Sequence, residues 1–244
     1  MTPRIIWLQE CGSTNAELSA MTDAPTNTVV ATRCQTAGRG QRGASWEAEP
    51  GKNLTFSQLL RPAAISPAHQ FELSMLVSLA VTDTVDGLLA GHGCRLKTKI
   101  KWPNDIYVND SKLAGILIEN KLMGAAIDRS IVGIGLNVNQ EIFRSDAPNP
   151  VSVAQLCGHT TPLEPLLETL TQRIADYIDN YDGDSTALKT RYMQALYRGD
   201  GNDYTFSLPD GTTFKAAIRD VATNGMLTLS DGNSYAFKEV AYII

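Results

Sequence analysis

Two segments carry the residue types best able to do chemistry. Lys101-Trp102-Pro103-Asn104-Asp105 brings together an ammonium, an indole, a rigid turn residue, an amide and a carboxylate, and Ser111-Lys112-Leu113-Ala114-Gly115-Ile116-Leu117 follows shortly after. If residues 105–108 and 113–118 pair as a hairpin around Asn109-Asp110-Ser111, Lys112 opens the second strand close to Asn104 and Asp105. An ammonium, a carboxylate and an amide then gather at one end of a sheet. Such pairs are most often solvated surface charges. Gly115 inside an apolar strand argues for more, because a missing Cβ lets a ligand or another backbone come close.

A third segment, Gly38-Arg39-Gly40-Gln41-Arg42-Gly43, literally matches the dinucleotide fingerprint G-x-G-x-x-G. That pattern has meaning only where it opens a helix with an acidic residue about 20 positions later. Here it runs into Ala44-Ser45-Trp46-Glu47-Ala48-Glu49-Pro50-Gly51, poor helix material, and Gln58, Leu59 and Leu60 stand where the acid belongs. The dinucleotide reading fails. What remains is a loop whose glycines let backbone amides approach an anion and whose Arg39 and Arg42 offer forked donors suited to phosphate. Such a segment suits closure over a polyphosphate and exclusion of water.

Other chemistries find less support. Cys11, Cys34, Cys94 and Cys157 form no C-x-x-C pair, and His69, His92 and His159 never fall in H-x-x-x-H spacing. A bound zinc and a Cys or His nucleophile are not expected. A net charge of −5 argues against nucleic-acid and membrane-surface roles, since both rely on Lys and Arg. Residues 1–10 lack the basic region and apolar run of a signal peptide, and no stretch approaches the roughly 20 apolar residues of a membrane span. Unpatterned cysteines suit a reducing compartment, so the expectation is a soluble cytoplasmic protein.

The elements that must position these groups can be read from periodicity and turn residues. The 244 residues, 43% hydrophobic and 19% charged, suit one large domain or a large and a small one. Strands are expected at 5–8, 28–34, 54–60, 99–102, 106–108, 113–119 and 131–138. A short helix starts at Ser13 or Thr14, with Thr14 and Glu17 in capping-box spacing. Ser66-Pro67 opens a helix running to about Ala90, and helical patterns return at 163–181 and 186–197. Residues 35–52 form a long polar loop of the kind that is often functional. After Arg198-Gly199-Asp200-Gly201 the pattern becomes short strands (204–208, 213–219, 226–229, 234–237) between Asp-Gly and Asn-Gly turns. A β unit of about 45 residues is too small to be very stable alone, so it should dock on the larger part. The expected domains are 1–198 and 199–244.

Taken together, Ser13-Thr14-Asn15, Gln35-Thr36-Ala37-Gly38-Arg39-Gly40-Gln41-Arg42-Gly43, Trp46, Lys101-Trp102-Pro103-Asn104-Asp105, Lys112-Leu113-Ala114-Gly115-Ile116-Leu117 and Gly133-Ile134-Gly135-Leu136-Asn137-Val138-Asn139 resemble the biotin–protein ligase family. Each motif is weak; six in the family's order, covering most of residues 5–140, are specific. The resemblance implies an α/β (α+β) fold, a mixed sheet with helices on one face, followed by a small C-terminal SH3-like β-barrel. It implies ATP and biotin as substrates with Mg²⁺, and a biotin carboxyl carrier protein or domain as acceptor. It also allows a homodimer.

The resemblance further implies residue roles. Ser13, Thr14, Asn15, Gln35, Gly38, Arg39, Gly40, Lys112 and Gly115 would bind biotin, with Ser13, Thr14 and Gln35 matching its ureido ring. Arg39, Arg42, Trp46, Lys101, Asn104, Asp105, Lys112 and Asn137 would bind ATP, Trp46 packing over adenine or closing a lid and Asn137 meeting the adenine edge. Lys112 and Arg39 would be catalytic, and Asp105 the candidate Mg²⁺ ligand. Position 41 is Gln where some family members carry a further arginine, so the phosphate grip rests on Arg39 and Arg42. Members that also repress transcription carry a helix-turn-helix domain ahead of the Ser-Thr-Asn segment; twelve residues precede Ser13 here, so DNA binding is not expected. A lipoate–protein ligase is the alternative within this chemistry. A small-molecule-binding regulator that has lost turnover is the non-enzyme reading, and Arg39 and Lys112 argue against it.

Overall fold

A strand's side chains alternate between two faces, and in this chain the alternation divides apolar from bare. The computed structural model describes residues 2–144 and 149–244, apart from the Arg42 side chain. Its elements run β1 (Arg4–Cys11), α1 (Thr14–Ala20), β2 (Thr28–Gln35), β3 (Leu54–Leu60), α2 (Phe71–Gly91), β4 (Thr98–Lys101), β5 (Asp105–Val108), β6 (Ser111–Met123) and β7 (Ala126–Leu136). There follow α3 (Val153–Cys157), α4 (Leu163–Asp179) and α5 (Ser185–Ala195). The first seven strands form one sheet in the order β1-β2-β3-β7-β6-β5-β4. β1 and β2 are parallel and every other pairing is antiparallel, so the sheet is mixed as expected.

On one face, Leu54, Phe56 and Leu60 of β3, Ile116 of β6, and Val132, Ile134 and Leu136 of β7 join Leu73, Val77 and Val81 of α2 and Leu167, Leu170 and Ile174 of α4 in the main core. On the other face a smaller cluster of Val30, Leu59 and Ile131 receives Leu18 of α1, with Leu8 of β1 and Met21 packed against it. The three longer helices therefore serve the main core, while the short α1 covers part of the opposite face.

The 21-residue α2 has a window of mean hydropathy 1.5, apolar enough by composition to reach membrane-span length, which the sequence reading had not anticipated. Two thirds of that window is buried in the main core (67%), the normal setting of a core helix.

The C-terminal segment forms two three-stranded antiparallel sheets. β8 (Tyr204–Ser207), β9 (Thr213–Ala216) and β13 (Ala241–Tyr242) make one; β10 (Ile218–Val221), β11 (Leu227–Leu229) and β12 (Ser234–Tyr235) make the other. The single strand expected at 213–219 is thus two strands in different sheets. The chain crosses at Ala217, where a buried small side chain leaves room and the backbone N–H donates to Ser230 Oγ at 2.9 Å. Phe206, Val221, Leu227 and Val240 belong to the same apolar core as α2 and the large sheet. The two parts share one core.

Candidate functional site

Register builds the floor of a cavity. Thr55 pairs with Gly135, Gly135 with Gly115, Gly115 with Asp105, and Asp105 with Lys101, so one cross-strand row spans five strands on the face opposite α2. The next row is Ser57–Gly133–Leu117. Three glycines therefore stand where side chains would otherwise fill the surface, and the alternation Gly133-Ile134-Gly135-Leu136 is a strand that is apolar toward the core and without side chains toward the site, where Asn15 covers Gly133 and Trp46 covers Gly135. A Cβ at Gly135 would collide with the Trp46 indole, and one at Gly115 would meet it at 3.0 Å. Trp46 lies flat in the slot those glycines leave.

A bulge brings Lys112 to this face. β5 and β6 pair Ile106 with Ala114 but Tyr107 with Lys112, a slip of one residue. A bulge reverses the alternation of everything beyond it. Without it Leu113 would oppose Tyr107 and Lys112 would point to the core face. With it, Lys112 Nζ reaches Asp105 Oδ1 at 2.7 Å, both side chains about four fifths buried (24% and 19% exposed). Backbone bonds on either side hold the strand: Lys112 N–H donates to the Asn149 carbonyl at 2.7 Å, and Val151 N–H to the Lys112 carbonyl at 2.9 Å. The gathering of Asn104, Asp105 and Lys112 expected from the hairpin is borne out.

Ser13, Thr14, Asn15, Gln35, Arg39, Gly40, Trp46, Lys101, Asn104, Asp105, Lys112 and Gly115 all line this one cavity. At one end Thr14 N–H donates to Gln35 Oε1 at 3.0 Å. At the other, the Lys101 ammonium lies 5.0 Å from the Tyr107 ring and 5.1 Å from that of Tyr242. Burial pushes the Lys101 pKa below its ordinary value, with Asp105 opposing the shift and Lys112 and Arg198 adding to it. Between the ends, residues 38–46 fold back on themselves: Trp46 N–H donates to the Gly38 carbonyl at 3.1 Å and Gly40 N–H to that of Ala44 at 2.6 Å. The loop forms a compact flap with Trp46 inserted as its tongue and Arg39 exposed at its edge.

Several expected residues stand differently. Gly38 lies beneath the flap, where a Cβ would press on Gln35 Nε2 at 2.8 Å. Asn15 is committed to the protein: Nδ2 donates to Glu119 Oε2 at 2.6 Å, and Oδ1 lies 2.5 Å from Ser57 Oγ. Asn104 Nδ2 donates to the Ile116 carbonyl at 2.5 Å, so it braces β6 at the cavity wall. Asn137 is not brought to the cavity lining. It is buried, donates through Nδ2 to the Val151 carbonyl at 3.1 Å, and its Oδ1 has no partner among the described residues. The Ser13 side chain caps nothing, so the Thr14–Glu17 capping box is not formed and Thr14 turns instead to Gln35 and Ser57. The Arg42 side chain lies outside the described residues.

Sequence reasoning missed four contributors. Ser57, fully buried, joins Thr14 to Asn15. Glu119 anchors Asn15. Phe237 and Lys238 bring the C-terminal unit to the cavity mouth, where Phe237 meets Trp102 edge-on at 6.2 Å. Trp102 itself is buried and ties the two parts by donating Nε1–H to the Gly225 carbonyl at 3.0 Å. Arg39, Lys101, Lys112 and Lys238 line the cavity against one carboxylate, Asp105, among the described residues. That balance suits a polyanion.

Residues 8–137 match the biotin/lipoate A/B protein ligase family, and the chain belongs to that family. A biotin–[acetyl-CoA-carboxylase] ligase of Paracoccus denitrificans is 35% identical over 182 residues, 71% of this chain and 74% of the relative. The biotin–[acetyl-CoA-carboxylase] ligase of Mycobacterium tuberculosis is 30% identical over 226 residues, 91% of this chain and 82% of the relative. The biotin protein ligase of Aquifex aeolicus in complex with biotin and ATP has a TM-score of 0.79 over 98% of this chain and 97% of that chain, at 23% identity, a likeness of fold.

Proposed function

We propose that this chain is a biotin–protein ligase that activates biotin with ATP and transfers it to a lysine of a biotin carboxyl carrier protein or domain, acting in the cytoplasm. One observation carries the reading. A glycine-floored slot runs from neutral hydrogen-bonding groups at Thr14 and Gln35 to the cations Lys112 and Lys101. A urea-like ring suits the first end and a carboxylate meeting a triphosphate the second; an extended aliphatic chain would lie on the glycine floor between them once Trp46 lifts from it.

In the first step a carboxylate oxygen of biotin attacks the α-phosphorus of ATP, the bond to the β-phosphate breaks, and pyrophosphate leaves. Lys112 neutralises charge where the two anions meet, and Lys101 holds phosphate. At a surface-like dielectric an ammonium about 4 Å from one such charge is worth roughly 4 kcal/mol. In the second step the neutral amine of the acceptor lysine attacks the carbonyl carbon of biotinyl-AMP and AMP departs. The flap with Trp46 shields that anhydride from water. No covalent enzyme intermediate is needed; positioning and charge neutralisation suffice.

Among the described residues no three acidic, His or Cys side chains cluster as a metal cage. Were Mg²⁺ to accompany the nucleotide, Asp105 would be the cavity carboxylate able to hold it, in competition with its ion pair to Lys112. When bound, the ion would neutralise phosphate charge. Biotin-dependent ATP–pyrophosphate exchange, followed by transfer to a carrier domain, tests the function. Exchange driven by lipoate and not by biotin would replace it with the lipoate reading.

A further inference from the structure

A chain of hydrogen bonds runs from the protein surface to the neutral end of the cavity, and its direction is fixed by chemistry. Glu119, exposed on β6, accepts from Asn15 Nδ2 at 2.6 Å. A carboxylate can only accept, so the Asn15 amide has one orientation, with Oδ1 toward Ser57. Ser57 Oγ lies 2.5 Å from that oxygen and 2.7 Å from Thr14 Oγ1. A serine hydroxyl has one hydrogen, and Asn15 Oδ1 has none, so Ser57 must donate to Asn15. The hydrogen in the 2.7 Å contact must then come from Thr14.

Thr14 thus spends its only hydroxyl hydrogen on Ser57 at 2.7 Å in preference to Gln35 Oε1, which lies farther off at 3.4 Å, and keeps lone pairs for the cavity it lines. The neighbouring amide is fixed as well. Thr14 N–H donates to Gln35 Oε1 at 3.0 Å, which turns the Gln35 Nε2 donor toward Gly38, on a side chain that lines the cavity. The result is an acceptor beside a donor, the complement of the N–H and C=O of a cyclic urea. A dithiolane ring has neither group.

Resting on the ligase reading above, we infer that Glu119 is a specificity-determining residue acting at a distance: through Asn15 and Ser57 it sets the polarity of Thr14 and so selects a ligand with an N–H donor. A residue that can only donate would reverse the chain. With Glu119→Lys, Asn15 turns its oxygen outward, Nδ2 donates to Ser57, Ser57 donates to Thr14, and the Thr14 hydrogen is turned away from Ser57, toward Gln35 Oε1 at 3.4 Å and the biotin N–H. Glu119→Gln permits both polarities. Both substitutions lie at an exposed position and leave the core untouched.

The test measures biotin affinity by calorimetry without nucleotide, and KM for ATP by pyrophosphate exchange, in wild type, Glu119→Gln, Glu119→Lys, Thr14→Val and the Thr14→Val/Glu119→Lys double variant. Glu119→Gln should weaken biotin by about twofold, the cost of choosing between two open polarities. Glu119→Lys should weaken it by roughly tenfold or more, as for a buried partner left mismatched. Thr14→Val should abolish the response to Glu119→Lys, and KM for ATP should stay level throughout. Gln and Lys equally harmful, or a Lys penalty that survives on Thr14→Val, would overturn the relay while leaving the ligase reading intact. A wild-type protein that binds no biotin would overturn both.

Discussion

Lys112 and Asp105 form an ion pair at 2.7 Å because the strand between them slips by one residue, and that slip turns an ammonium out of the core and onto the glycine row. The pair therefore belongs to the cavity and contributes little to packing. Lys112→Ala should leave the melting temperature within a few degrees of wild type while biotin-dependent pyrophosphate exchange falls by roughly a thousandfold, the kinetic equivalent of about 4 kcal/mol. Exchange within tenfold of wild type would remove Lys112 from the chemistry.

The flap makes a different prediction. Arg39 sits at its exposed edge and lines the glycine-floored cavity as well as a second one beyond Asn15. Arg39→Gly should loosen the closure that holds Trp46 over Gly115 and Gly135, so that biotinyl-AMP escapes faster and biotinylates bystander lysines. The check is labelling of a non-substrate protein in the same tube as the carrier domain. Retention of the adenylate and labelling confined to the carrier would contradict the clamp.

Burial lowers the Lys101 pKa below that of a free lysine, and two consequences follow with definite signs. In the folded protein the charged form is disfavoured relative to the unfolded chain. The resulting penalty is fully present below the lowered pKa and is relieved as pH rises toward the unfolded value. The same deprotonation removes a phosphate-binding charge, so KM for ATP should rise on an alkaline limb that begins below the ordinary lysine range. Lys101→Arg, always charged, should flatten that limb. An alkaline profile identical in both proteins would assign it to another group.

How much of this was legible beforehand depended on whether the signal was local. Leu54–Leu60 and the Lys101–Lys112 hairpin declare themselves by alternation and turn residues, and most of the expected site residues meet in one cavity. Gly133 and Gly135 were visible as a motif, but their meaning is a row shared with Thr55, Gly115 and Asp105, and register across strands is not written in any one of them. Ser57 is a serine in an apolar strand; its partners lie 42 and 43 positions away. The short α3 was overlooked although Ser152 and Gln155 form a complete capping box, a signal that could have found it. The placing of Asn137 at the adenine edge comes from the resemblance alone; its Nδ2 donates to the Val151 carbonyl and its Oδ1 has no partner among the described residues.

The remaining prediction concerns the C-terminal unit, which we propose spans 199–244. Its removal cannot separate support from function, because Phe206, Val221 and Leu227 share the core of the larger part and a truncated chain would expose that core. Lys238 offers a cleaner separation. It lines the mouth of the cavity from the small unit and holds a left-handed backbone, φ 76°, where glycine would be unstrained. A lysine kept in that conformation carries about 1–2 kcal/mol of local strain, which is unexpected of a residue with only a covering role. Lys238→Gly should relieve it, leaving stability unchanged or raised by up to about 1 kcal/mol once glycine's own chain entropy is counted. The same change deletes one of the four cations that face a polyphosphate, so KM for ATP should rise by roughly threefold to tenfold while biotin affinity without nucleotide stays constant. A protein made no less stable yet weaker toward ATP alone has lost a contact and no packing. If ATP affinity follows stability instead, or does not move, the small unit is a cover for apolar surface and its lysine is ordinary surface charge.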